Sequence, residues 1–95
     1  MATKEAYREK IEAQLDLLNA RIDLLKAKAQ SAKADARIDY ERELDDIKQK
    51  RETLESRLDS LEESGQEAWA ELQEGIDQAV DDLREAVTNA SERFK

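Results

Sequence analysis

The run Leu61-Glu62-Glu63-Ser64-Gly65-Gln66-Glu67-Ala68-Trp69 separates two readings of this chain, a continuous helix or a helix folded back on itself. Ser64 and Glu67 have the spacing of a capping box, in which each side chain satisfies the other's free backbone N–H. Gly65 weakens any helix running through it by about 1 kcal/mol relative to Ala. Against these signs, Leu61, Gly65, Ala68 and Leu72 keep steps of 4, 3 and 4, as an unbroken helix does. No Pro enforces a stop. The balance favours a hairpin at residues 63–66, with helix 1 over about 4–62 and helix 2 over about 66–94. The whole chain, 1–95, then reads as a single coiled-coil domain.

Upstream of that run no helix breaker occurs for sixty residues. Thr3 is placed to cap the first helix, with Glu5 facing the positive end of its dipole. Ile11, Leu15, Leu18, Ile22, Leu25, Ala29, Ala32 and Ala36 follow alternating steps of 4 and 3, the heptad spacing of a left-handed coiled coil. Steps of 4 and 4 through Tyr40 to Leu44 mark a local unwinding, and heptads resume at Leu44, Ile47, Arg51, Leu54, Leu58 and Leu61. The stripe holds only alanine at 29, 32 and 36, which buries little area and makes this the weak or adaptable section.

A second apolar row lies off that stripe. Ala6, Ala13, Ala20, Ala27 and Ala34 recur every seven residues, with Leu17 and Leu24 beside them. Two exposed leucines at one heptad position suggest a second contact face.

Residues 66–94 carry their own stripe: Trp69, Leu72, Ile76, Val80, Leu83, Val87, Ala90 and Phe94. Folded back, this segment covers roughly residues 35–62 and leaves the first thirty or so without an internal partner. A lone helix of that kind is marginal in water, so the expected state is a homo-oligomer of hairpins about 90 Å long by helical rise. The expected core and oligomerisation residues are Ile11, Leu15, Leu18, Ile22, Leu25, Ile47, Leu54, Leu58, Leu61, Trp69, Leu72, Ile76, Leu83 and Val87.

Composition agrees with an all-α chain. Ala, Glu, Lys, Leu and Arg supply 55 of 95 residues, whereas Leu, Ile, Val and Phe supply only 19. The chain has no Cys and no His, which removes thiolate chemistry, Cys-ligated metals and the usual general base. Paired acids such as Asp45–Asp46 or Asp81–Asp82 sit on a narrow helix with no cleft, so a solvated face is the expected role rather than acid–base catalysis. No glycine-rich loop cradles phosphate and no glycine-centred calcium loop occurs, so no cofactor or metal is expected. No apolar leader or membrane-length run is present, which makes cytoplasm the expected compartment.

Charge is unevenly placed. Residues 1–50 are formally neutral, and residues 51–95 carry the whole net charge of −8. Between Arg57 and Arg84 there are nine acidic residues and no basic one. That surface repels nucleic acid and suits either solubility or a basic protein partner, with Glu67, Glu71 and Glu74 on one helix face.

The repeat Leu24-Leu25-Lys26-Ala27-Lys28-Ala29, the Ser64-Gly65 break before Ala68-Trp69, and the tail Asp82-Leu83-Arg84-Glu85-Ala86-Val87 through Phe94-Lys95 resemble small bacterial alanine- and charge-rich coiled-coil proteins. The resemblance implies helical assembly and little else. The composition is also similar to apolipoprotein-like and desiccation-protective helical proteins. It lacks the Pro-punctuated 22-residue repeat of the former and the sustained 11-residue repeat of the latter.

Three functions therefore compete. The first is a non-enzymatic structural scaffold acting by self-association and partner binding. The second is a peripheral lipid-binding or stress-protective amphipathic protein, favoured by Trp69 and Phe94 at the ends of the second helix. The third is an acidic adaptor or inhibitor of a basic protein.

Overall fold

The stripe that reads as one helix from residue 4 to 62 is cut in half. In the computed structural model, which describes residues 3–65 and 67–94, the chain forms α1 (Lys4–Ser31), α2 (Ala34–Glu63) and α3 (Trp69–Arg93). Thr3 closes the start of α1, its hydroxyl accepting the Ala6 N–H at 3.1 Å. Ala32 and Lys33 are extended, at φ −79°, ψ 153° and φ −67°, ψ 160°, and reverse the chain without glycine or proline. Arg37, one turn into α2, reaches back to the carbonyls of Gln30 and Ala32 at 3.3 and 3.4 Å. It thereby serves carbonyls that the end of α1 leaves without helical partners.

The physical reason for the break is the alanine section. Helix through 29–36 would bury only methyl groups, whereas folding back buries the leucine and isoleucine stripe of α1, at about 1.5–3 kcal/mol per large side chain. A few lost helical hydrogen bonds, worth about 1 kcal/mol net each, do not offset that gain.

The second reversal falls at Ser64-Gly65, where a break was expected, but its chemistry differs. Ser64 ends α2 rather than starting α3: its hydroxyl donates to the Leu61 carbonyl at 2.6 Å and its N–H to the same oxygen at 3.2 Å. No capping box forms, because α3 begins at Trp69 after Ala68, which offers no side-chain cap. The expected helix start at Gln66 lies outside the described residues, and Glu67 and Ala68 form a turn.

The three helices pack as an up-down-up bundle, each touching the other two. Lys4 Nζ donates to the Ser64 carbonyl at 2.9 Å, tying the start of α1 to the end of α2. A cation there also faces the negative end of the α2 dipole. Arg21 reaches Thr88 on the parallel α3. The particle measures 51 × 18 × 16 Å, as expected for helices of about 38–45 Å by rise. The extended hairpin of about 90 Å is therefore replaced by a shorter bundle, and residues 4–31 find their partners within the chain.

The core is one cluster. It takes Tyr7, Ile11, Leu15, Leu18, Ile22, Leu25 and Ala29 from α1, and Tyr40, Ile47, Leu54, Leu58 and Leu61 from α2. From α3 it takes Ile76, Ala79, Val80, Leu83, Val87 and Ala90, with Trp69, Leu72 and Phe94 half-buried against it. Among the described residues no other polar or charged side chain is buried. Arg51, the polar residue within the α2 stripe, lays its stem along the core edge and sends its head to Asn19 at 3.4 Å and Glu55 at 3.8 Å.

All four aromatic residues sit in two pairs, one at each end of the bundle. Tyr7 meets Trp69 at 5.8 Å between ring centroids, and Tyr40 stacks on Phe94 at 3.9 Å. The Tyr7 hydroxyl donates to the Asp77 carboxylate at 2.5 Å, with the Gln73 carbonyl 3.1 Å away. Burial first, and then the hydrogen bond to Asp77, raise the Tyr7 pKa well above its ordinary value near 10.

That shift has a definite sign. The folded chain holds the phenolic proton more tightly than the unfolded chain, so the contribution of Tyr7 to stability is complete below about pH 10 and is lost as pH rises further. In a Tyr40→Phe background Tyr7 is the only tyrosine. Its tyrosinate absorbance should appear together with loss of helicity, and Tyr7→Phe should flatten the alkaline fall in stability. Ionisation near pH 10 with the helices intact would contradict the burial of this hydroxyl.

Candidate interaction surface

The core leaves the outer face of α1 to solvent. Leu17 and Leu24 are 68% and 58% exposed. They belong to a row in which every member is exposed: Ala6, Lys10, Ala13, Leu17, Ala20, Leu24, Ala27 and Ser31. The steps are 4, 3, 4, 3, 4, 3 and 4, a second heptad seam on the same helix. Rise and twist put this row on the side of α1 turned away from Ile11, Leu18 and Leu25, so one 28-residue helix carries two apolar stripes. Sequence reasoning found the leucines and the alanines of this row. Among the described residues it missed one further large exposed apolar side chain, Ile38 on α2, 55% exposed.

Charged residues flank the seam on both sides. Glu9, Asp16 and Asp23 each precede a member of the row that holds Lys10, Leu17 and Leu24, and Arg21 and Lys28 each follow an alanine. The α1 helix is also the least acidic of the three. It carries six basic and five acidic side chains, against six and eleven on α2 and two and seven on α3.

The acidic surface is present as well, but Glu67 lies in the turn before α3 and only Glu71 and Glu74 stand on the helix. Glu67, Glu71 and Glu74 are all exposed, near the half-buried Trp69. Part of the surrounding charge is already engaged: Arg57 on α2 donates to the Gly75 carbonyl at 2.5 Å, and Arg8 pairs with Glu62 across the α1–α2 seam. Among the described residues no group of three or more acidic side chains is placed to hold a metal ion.

The residues expected to form the core and the oligomer contact behave as one set. Ile11, Leu15, Leu18, Ile22, Leu25, Ile47, Leu54, Leu58, Leu61, Ile76, Leu83 and Val87 are buried, and Trp69 and Leu72 are half-buried. They bury one another inside a single chain, so the main stripe of α1 is not open to a second copy. Only Leu17, Leu24 and their alanine neighbours remain available on α1.

A groove of about 220 Å³ runs between α1 and α2. Ile22, Leu44 and Ile47 lie in it, among Lys26, Glu41, Asp45, Lys48 and Arg51. No helix among the described residues is long and apolar enough to cross a membrane. The chain matches no protein-family model, no curated protein and no solved structure.

Proposed function

We propose that this chain is a non-enzymatic structural module, a three-helix scaffold that acts by self-association and partner binding. The observation that carries this reading is the exposed apolar seam centred on Leu17 and Leu24. A charged bundle gains nothing in solubility from two large exposed leucines in one row, and such a row is what a helix partner buries.

A second reading rests on α3. The exposed Glu67, Glu71 and Glu74 suit a basic protein partner, whose binding would weaken with salt. Peripheral lipid binding has less support, because the apolar face of α3 is spent on the core through Ile76, Val80, Leu83 and Val87.

The test is absolute mass by light scattering with in-line small-angle X-ray scattering, from about 1 μM to about 1 mM, the range in which modest helix–helix contacts populate. A mass that rises from one chain towards two or more supports the scaffold reading. A single-chain mass throughout removes self-association and leaves the acidic face of α3 as the working surface.

A further inference from the structure

We infer that the occupant of the α1 seam is a second copy of this chain, bound in parallel and in register about a two-fold axis along the bundle. The inference rests on the self-association reading above and specifies its geometry.

The two flanks of the seam decide orientation. When two copies of a helix pair in parallel, the residue just before each leucine position faces the residue five places later on the partner helix. Applied to α1, that rule sets Asp16 against Arg21 of the second copy and Asp23 against Lys28, each pair formed twice by symmetry. Antiparallel pairing would set each flank against itself, aspartates on aspartates and cations on cations. The acidic flank and the basic flank are thus complementary to each other in one orientation only.

Two further features of the seam fit the same geometry. Alanine at every seventh position lets the backbones approach closely, while Leu17 and Leu24 supply the apolar knobs. Lys10 occupies the leucine row one heptad upstream of Leu17, and a lone lysine at such a position sets register at a cost in stability. The choice of α1, the least acidic of the three helices, also limits repulsion between copies of net charge −8. A seam of two leucines and small residues buries little area, so the dimer is of the weak, concentration-dependent kind.

The chain contains no cysteine, so single-cysteine variants report geometry directly. Ala6→Cys and Ala27→Cys are made separately in the full chain and oxidised in air at high concentration. In the parallel dimer each position faces its own copy, so both variants form disulfide-linked dimers. In an antiparallel dimer the leucine row faces the alanine row, and with Leu17 on Ala20 the two copies of residue 6 lie about 37 Å apart and those of residue 27 about 25 Å apart by helical rise. Neither variant would then link alone.

A charge exchange tests the flanks. Asp16→Lys with Asp23→Lys should weaken association at least about tenfold, and adding Arg21→Glu with Lys28→Glu should restore it. Circular dichroism of each variant checks that the bundle is intact. Self-association without self-linking at positions 6 and 27, or without charge rescue, would overturn the parallel geometry and leave the scaffold reading standing. A single-chain mass for the unmodified protein would remove both.

Discussion

Leu83→Ala should destabilise the bundle by about 2–5 kcal/mol, the range for deleting a buried leucine side chain. Leu83 is 0% exposed and sits in the middle of α3, among core residues from all three helices. Its removal takes away three carbons and leaves a void that helices held at both ends close only in part. A domain of this size has a total stability of about 5–15 kcal/mol, so the loss is a large fraction of the whole. In a thermal melt it should lower Tm by on the order of 10–30 °C. Ile38→Ala removes the same number of carbons from a residue that is 55% exposed, and should move stability by no more than about 0.5 kcal/mol. Equal effects from the two substitutions would mean that α3 does not pack as described.

The second large effect separates a turn from a helix at one residue. Lys33 has φ −67°, which proline requires, and Ala32 before it is extended, as a residue preceding proline prefers. The Lys33 N–H makes no backbone hydrogen bond among those of the described turns and caps, while its carbonyl still accepts from Arg37. Lys33→Pro should therefore stabilise the protein by about 0.4–1 kcal/mol, by restricting the unfolded chain. In a helix running unbroken through this point the same change would cost about 3 kcal/mol. The two structures thus predict opposite signs in a urea titration, and a lowered midpoint for the proline variant would rule out the turn at 32–33.

That turn is also where the sequence was least legible. Leu25, Ala29, Ala32, Ala36 and Tyr40 keep helical phase straight through it, and Ala is the best helix former. Nothing local says stop. The decision is tertiary: the helix ends where continuing it buries least, in the section already marked as weak by its small side chains. One local trace exists in Arg37, which caps the carbonyls of Gln30 and Ala32, but a surface arginine in an arginine-rich chain is no signal by itself.

Ser64-Gly65 was legible because glycine and serine disfavour helix interiors for intrinsic reasons. The core was legible for a similar reason, since the heptad phase of Ile11 through Leu25 is the same whether a second chain or α2 and α3 cover it. Periodicity identifies a buried face without saying what buries it. Tyr7 escaped because its role depends on Trp69 and Asp77, which are far away in sequence. The exposed seam was visible as two leucines out of phase with the main stripe. The meaning of its charged flanks depended on knowing that the main stripe was already occupied.

The placement of the aromatic residues governs what light can reveal about this molecule. Trp69 with Tyr7 and Tyr40 with Phe94 hold every near-ultraviolet chromophore at the two tips, and the aliphatic and alanine layers between them are optically silent. Fluorescence and near-ultraviolet dichroism therefore report the opening of the ends, whereas far-ultraviolet dichroism reports the helices along their whole length. Melting curves from the two kinds of signal coincide if the bundle opens as one unit, and separate if it unravels from its tips.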